Sequence, residues 1–223
     1  RAWPAAAALS TPQATPSMSF DDPRGTWNAR FAGPQFHFGR APNAFLAREA
    51  ARLLRGQSVL CVADGEGRNG VFLAARGLEV TAFDIAANGV AKARDLAAEH
   101  GVRIDGREAD MRDWDWAART YDAVVAIFIQ FLTPAERPEV FRGMQRAVAP
   151  GGLLLLEGYR PEQIAYRTGG PGKPEHLYTP EWLEAAFRGW ELLRLDAYDA
   201  EISEGAGHVG MSALIDLVAR KPG

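Results

Sequence analysis

Short apolar runs, separated by segments of helical periodicity, constrain the fold of this chain more than any other feature. The runs 58–63, 79–85, 122–128 and 153–157 are rich in Val, Leu, Ile and Ala, as expected for strands buried on both faces. Strands that alternate with helices across short connections form a parallel sheet with helices on both faces. We therefore predict a doubly wound, Rossmann-like α/β domain.

Further runs bring the predicted sheet to seven strands, most of them parallel. Residues 102–109 are a weaker strand, and residues 190–202 and 208–220 flank the turn 204–207, which predicts a C-terminal antiparallel hairpin. The first hairpin strand should run parallel to the others, which puts the turn at the carboxyl edge of the sheet. Helices are predicted at residues 42–54, 67–76, 86–100, 133–147 and 179–188.

The N-terminal residues differ from the rest of the chain. Residues 1–25 are rich in Ala, Pro, Ser and Thr, which predicts a flexible tail, and Met18 is a candidate natural start. Residues 26–45 are aromatic and glycine-rich without a regular period. We interpret them as an irregular lid with buried aromatic anchors on a single domain that spans residues 26–223.

Charge and composition exclude several classes of function. The net charge is −3 and the basic residues are scattered, whereas a nucleic-acid binder normally presents a basic face. No apolar stretch approaches the ~20 residues that span a bilayer, and no Cys/His cluster suggests a metal site. The single cysteine, Cys61, suits a reducing compartment. We expect a cytoplasmic protein with a small-molecule substrate, no nucleic-acid or membrane partner, and a monomeric or homodimeric state.

A glycine-rich loop follows the first strand. Residues 65–70 read Gly-Glu-Gly-Arg-Asn-Gly, so glycines allow a tight turn while the next helix presents free N–H groups to a ligand. The G-x-G-x-x-G pattern is shared by several kinds of nucleotide-binding protein, and an ordinary strand-to-helix turn is the alternative.

Acidic residues follow the next two strands. Asp84 lies 19 positions after Gly65, where a carboxylate can accept bonds from both ribose hydroxyls; a helix cap is the alternative. Asp110 can accept from an adenine amino group while Met111 covers the ring, unless this segment is a solvated turn. Together the three sites predict a ligand with a zwitterionic end, a ribose and an adenine.

At this point the sequence resembles class I S-adenosylmethionine-dependent methyltransferases, most closely the tellurite-resistance and thiopurine methyltransferase group. The likeness lies in residues 59–74, 80–86, 108–114, 121–128 and 149–157, and the closer likeness in GEGRN at 65–69, residues 38–43 and residues 144–152. It implies S-adenosylmethionine as cofactor. We assign to its binding Asp64, Gly65, Gly67, Asn69, Asp84, Ile85, Asp110, Met111, Ile127 and Phe38.

The sequence departs from that family at two positions. The family usually has an acidic residue where Cys61 stands and glycine where Ala63 stands. The acid helps to hold the amino end of the methionine moiety, and we expect Asp64 to take over that role. We interpret Cys61 as buried packing rather than a nucleophile.

The methyl acceptor should lie on the same sheet edge as the cofactor. Methyl transfer is an in-line displacement, so positioning supplies much of the rate, and a hydroxyl or amine acceptor needs a base more than a soft thiolate, selenide or telluride does. We expect a small acceptor such as a thiol or a selenium or tellurium oxyanion. We assign Trp27, Phe128, Gln130 and Arg167 to the substrate and His208 and Tyr166 to catalysis, although surface or packing roles are open for each.

Other functional classes fit part of this pattern. A nicotinamide-dependent oxidoreductase also carries a glycine loop and an acid after the second strand, but none of Lys92, Lys173 and Lys221 follows a tyrosine at a four-residue spacing. The changes at Cys61 and Ala63 also leave open a catalytically inactive descendant that binds the cofactor.

Overall fold

The computed structural model describes residues 22–223, which contain a seven-stranded mixed sheet with helices on both faces. The strand order is β3-β2-β1-β4-β5-β7-β6, and only β7 runs antiparallel to its neighbours. The predicted fold class is therefore confirmed. The strands are β1 (Ser58–Val62), β2 (Glu79–Asp84), β3 (Asp105–Glu108), β4 (Tyr121–Ile127), β5 (Val148–Tyr159), β6 (Glu191–Glu204) and β7 (His208–Arg220).

Two hydrophobic layers cover the sheet because successive side chains of each strand point to opposite faces. Leu60 and Val62 of β1 belong to the layer packed on one face, and Val59 and Cys61 belong to the other. The helices are α1 (Pro23–Phe31), α2 (Ala44–Glu49), α3 (Arg68–Ala75), α4 (Ala87–Glu99), α5 (Arg137–Ala147), α6 (Gln163–Tyr166) and α7 (Pro180–Ala186), with 3₁₀ turns at Ala50–Arg52 and Pro174–His176.

Helix α1 corrects the prediction of an irregular lid. Asp22 accepts a bond from the Gly25 N–H at 2.9 Å and Pro23 opens the first turn, a regular helix start. Asn28 ties the helix to Asn88 of α4 through bonds of 3.0 and 2.9 Å. Only residues 32–43 are irregular as predicted. Residues 1–21, which include Met18 and most of the predicted tail, lie outside the described residues.

Several predicted boundaries move by a few residues. The predicted strand at 102–109 is confined to Asp105–Glu108. The helix predicted from Thr133 begins at Arg137, although Thr133 and Glu136 form the predicted capping pair, with bonds of 2.8 and 3.3 Å, in the turn before it. The helix predicted over 42–54 is α2 plus a 3₁₀ turn, capped by Asn43.

The C-terminal hairpin closes the sheet and reaches the lid. β7 pairs antiparallel with both β5 and β6, so β6 runs parallel to β5 and the turn lies at the carboxyl edge, as predicted. The Gly207 N–H donates to the His37 carbonyl at 3.1 Å. A Cβ added at Gly205 would lie 2.3 Å from the Gly39 nitrogen, so this close approach requires glycine.

Within residues 22–223, no helix combines the length and apolarity needed to cross a membrane. The same residues contain no group of three or more His, Cys, Asp or Glu side chains placed to hold a metal ion.

Candidate active site

A cavity of about 460 Å³ opens at the carboxyl edge of the sheet, within the range of small-molecule sites. It is lined by the glycine loop, the ends of β2 and β4, helix α1 and the hairpin turn. Predicted site residues that line it are Trp27, Phe38, Asp64, Gly65, Asn69, Asp84, Ile85, Asp110, Met111, Ile127, Phe128, Gln130, Arg167 and His208.

Two predicted site residues do not line this cavity. Tyr166 points elsewhere, and its hydroxyl donates to Asp199 at 2.7 Å, so the catalytic role predicted for it is withdrawn. Gly67 lies behind the loop, where an added Cβ would be 2.4 Å from that of Ala93. Its left-handed backbone (φ 84°) and close packing on α4 explain the glycine without ligand contact.

The side chains between the loop glycines hold the lid. Glu66 accepts the His37 N–H at 2.7 Å and pairs with Lys92 at 2.7 Å. Arg68 donates to the Phe38 carbonyl at 3.2 Å. The Asn69 side-chain oxygen accepts the Asn43 N–H at 2.9 Å. Side chains of the glycine loop thus hold residues 37–43 of the lid in place. Asn69 contributes through its side-chain amide oxygen.

Asp84 is bonded to the backbone on both sides of its carboxylate, while its predicted ribose role stays a prediction. Its two oxygens accept the Gly65 and Ala86 N–H groups at 2.9 and 2.8 Å, which fixes the loop and the start of α4. Burial raises its pKa to about 6, against the opposing effect of those two bonds. A carboxylate oxygen has two lone pairs, so each oxygen retains one for a ribose hydroxyl.

Asp64 lies at the start of the glycine loop, close in sequence to Cys61 and Ala63, the two positions at which the chain differs from the usual family pattern. It accepts the Gly70 N–H at 3.1 Å and burial raises its pKa to about 7. Cys61 is fully buried, and burial raises the pKa of its thiol well above the usual range, which fits the packing role. Ala63 adopts the left-handed region with φ 48°, which explains why glycine is usual at that position.

Asp110 and Met111 lie beside Ile85 at the far end of the cavity. The Arg112 guanidinium pairs with one oxygen of the Asp110 carboxylate at 2.8 Å, and the Arg112 backbone N–H donates to the other oxygen at 2.9 Å. The turn after β3 is therefore fixed by these bonds rather than freely solvated. Met111 is buried, as a residue that covers a ring should be.

Four aromatic rings cover the cavity from the lid side. The Trp27 ring centroid lies 5.4 Å from that of Phe31, 5.9 Å from Phe38 and 5.1 Å from Phe131. Phe31 was absent from the predicted site residues. The missed signal is its four-residue spacing from Trp27, which puts both rings on one face of a helix.

His208 lies at the other end of the cavity, at the start of β7. Its ring is buried between Phe38 and Phe128, with centroid distances of 4.4 Å to each. Its Nδ1 lies 3.9 Å from Glu204 Oε2, which leaves Nε2 as the nitrogen available to a ligand. Burial lowers the pKa of His208, so the ring is neutral at pH 7.

Gln130 and Arg167 differ in their availability to a substrate. The Gln130 amide bonds the Tyr159 carbonyl at 2.8 Å and the Tyr159 N–H at 2.6 Å, so we no longer assign it to the substrate. Arg167 is exposed at the mouth of the cavity, with a left-handed backbone (φ 55°) after α6. Its loop is anchored, because Thr168 donates to the Met211 carbonyl at 2.5 Å.

A family comparison identifies the central part of the chain. Residues 59–152, from β1 into β5, match the family model described as "Methyltransferase domain". The matched residues make up less than half of the chain. The glycine loop, Asp84, Asp110 and the end of β4 all fall within the matched residues.

Two curated proteins are similar to part of this chain. "Hemagglutinin 1" of Eikenella corrodens is 28% identical over 182 residues, 79% of this chain and 58% of that protein. "Phosphatidylethanolamine N-methyltransferase" of Cereibacter sphaeroides is 32% identical over 130 residues, 57% of this chain and 63% of that protein. The chain thus spans less than two thirds of either relative.

Solved structures share the fold at low sequence identity. The N-methyltransferase NodS from Bradyrhizobium japonicum, in complex with S-adenosyl-L-homocysteine, superposes with a TM-score of 0.71 at 13% identity and covers 91% of this chain and 100% of that one. The [4+2]-cyclase SpnF superposes with a TM-score of 0.62 at 21% identity, over 87% of this chain and 91% of that one. The fold alone therefore does not fix the reaction.

Proposed function

We propose that this protein transfers the methyl group of S-adenosylmethionine to a small molecule. The observation that carries the proposal is the convergence of the glycine loop, Asp84, Asp110 and His208 on a single cavity. Asp84 and Asp110, at the ends of β2 and β3, suit the ribose and the adenine of an adenosine. The match of residues 59–152 to a methyltransferase domain model supports S-adenosylmethionine over a nicotinamide cofactor.

The residues present fit this cofactor. Asp84 has lone pairs left for the ribose hydroxyls, and Asp110 with Ile85 and Met111 forms a partly apolar place for the adenine. The family usually has an acid at position 61 that holds the ammonium group of the methionine moiety, and this chain has Cys61 there. Asp64, with its pKa raised to about 7, supplies a carboxylate for that ammonium group instead.

When bound, the cofactor supplies a methyl group activated by a sulfonium. The chain's own contribution is position and exclusion of water. Trp27, Phe38 and Phe131 pack as one aromatic wall above the cavity. His208 faces the same space, where a neutral imidazole can accept a proton from an acceptor.

The acceptor class is the finer part of the proposal. The likeness to the tellurite-resistance and thiopurine methyltransferase group favours a thiol or a selenium or tellurium oxyanion. The relative from Cereibacter sphaeroides is named as an N-methyltransferase, so an amine nitrogen is a further candidate for the acceptor atom. The rings of Phe38 and Phe128 beside His208 favour an acceptor molecule that is largely apolar apart from its reacting group.

Calorimetry followed by product analysis tests this function. We expect one S-adenosylhomocysteine to bind per chain and NADH and NADPH to give no heat. Mass spectrometry should then find one added methyl group on at least one compound of a panel of thiols, amines, phenols, selenite and tellurite. Tight nicotinamide binding would replace the proposal with the oxidoreductase alternative. Cofactor binding without product across the panel would support an inactive binding protein.

A further inference from the structure

Glu204 and His208 face each other across the hairpin turn. Glu204 is the last residue of β6, His208 the first of β7, and the two are register partners in the ladder. Both side chains are almost buried, with 11% and 9% of their surface exposed. The sequence pattern marked Glu204 only as part of a turn.

Several donors hold the Glu204 carboxylate in place. Arg68 contacts it at 2.7 Å, the Asn43 amide at 3.1 Å and the Ala44 N–H at 3.1 Å. Arg68 and the nearby His208 lower the pKa of Glu204 despite its burial. This carboxylate is therefore ionised throughout the pH range in which a histidine titrates.

His208 is surrounded by one anion and several groups that oppose its protonation. Glu204 of β6 raises its pKa, whereas burial and the positive charge of Arg68 on α3 lower it. His37 of the lid and Tyr159 of β5 complete the titratable neighbours. The distance of 3.9 Å between Nδ1 and Glu204 Oε2 is longer than a hydrogen bond, and Nδ1 is buried without another hydrogen-bond partner among the described residues. Pairing therefore requires the two side chains to move closer when a ligand binds.

We propose that Glu204 orients His208 so that its Nε2 takes a proton from the methyl acceptor, and that the acceptor atom therefore carries a proton. This inference rests on the proposed function and narrows its substrate class. Acceptors with an O–H, N–H or S–H group fit, whereas selenite, tellurite and thioethers have no proton that must leave.

The charges balance in such a step. A lone pair of the acceptor atom forms the bond to the methyl carbon, the carbon–sulfur bond breaks, and its electron pair stays on sulfur. The acceptor's proton passes to His208 Nε2, and the resulting imidazolium donates its Nδ1–H to the ionised Glu204. Glu204 is thus a positioning residue, while His208 contacts the substrate.

The tautomer of His208 tests the pair without turnover. We would record nitrogen NMR spectra of the chain saturated with S-adenosylhomocysteine and identify His208 by its loss in His208→Gln. We expect the Nδ1–H tautomer in the wild type. Glu204→Gln should change the tautomer and lower the His208 pKa, Glu204→Asp should largely restore both, and Glu201→Gln, an exposed change on the same strand, should alter neither. An unchanged His208 in Glu204→Gln would overturn the pairing.

A panel of simple acceptors tests the substrate class. Phenol and aniline carry a proton on the reacting atom at neutral pH, whereas thioanisole and tellurite do not. We expect S-adenosylhomocysteine release only with the protic compounds, lowered about 10²- to 10⁴-fold by His208→Gln, as for a general base. Glu204→Gln should move the acid limb of the pH–rate profile to lower pH and reduce its plateau.

Faster turnover of thioanisole or tellurite than of the protic compounds would overturn the substrate assignment. Failure to bind S-adenosylhomocysteine, or binding without product from any compound, would instead refute the proposed function. Binding of that product is measured first, so the two failures are distinguishable.

Discussion

Replacing Asp84 with asparagine separates its ligand role from its structural role. The carboxylate accepts two backbone N–H groups at 2.9 and 2.8 Å and retains two lone pairs that we assign to the ribose. An amide has one acceptor oxygen, so at least one charge-assisted bond to the ligand is lost, which costs about 1.5–3 kcal/mol. We expect the Kd for S-adenosylhomocysteine to rise about 10- to 150-fold.

The same change also weakens the fold, because one buried N–H faces an amide nitrogen instead of an oxygen. That costs about 1–3 kcal/mol, or a fall in Tm of about 2–12 °C, so affinity must be measured by calorimetry well below the transition. Asp122→Asn is a suitable control, because Asp122 accepts two bonds from Ser58 at 2.7 and 2.8 Å at the opposite end of the sheet. Asp84→Asn binding within about threefold of wild type would refute the ribose assignment.

Three further changes test the loop and the lid. In Gly207→Ala the new Cβ would lie 2.5 Å from the Phe38 ring, so thermal unfolding should show a stability lower by about 1–3 kcal/mol. Gly33→Ala is the control and should lose no stability, because a Cβ at that position contacts nothing. Ala63→Gly relieves a left-handed alanine and should leave stability unchanged or raise it by up to about 1 kcal/mol in denaturant titration; a clear loss would contradict the strain. If Asp64, with its pKa raised to about 7, must ionise to bind the cofactor ammonium, calorimetry should show affinity rising up to about tenfold between about pH 6 and pH 8. In Asp64→Asn that rise should vanish.

The centre of the sheet was predictable from sequence because β1, β2 and β4 are buried on both faces. Such strands read as continuous apolar runs, and the glycine loop and the two acids follow them at the edge where parallel strands end. The hairpin turn could be placed beside the cofactor loop by the same reasoning, since strand direction alone brings His208 to that edge.

What the sequence could not give were interactions between distant segments. Helix α1 has little amphipathic pattern, and its position depends on Trp27 and Phe31 packing against Ala86 and on Phe31 lying beside Gly65. The Gln130 amide, predicted to meet substrate, is occupied by the backbone of β5. Glu204 escaped notice because its partner Arg68 is 136 residues away in sequence, and no local pattern signals such a pair.

A crystal structure of the chain with bound S-adenosylhomocysteine would show whether the cavity is a cofactor site. We expect ribose hydroxyls within hydrogen-bond distance of Asp84, the adenine beside Asp110 and Met111, and the sulfur turned toward the part of the cavity that contains His208. An adenosine bound elsewhere, or a sulfur directed away from His208, would contradict it.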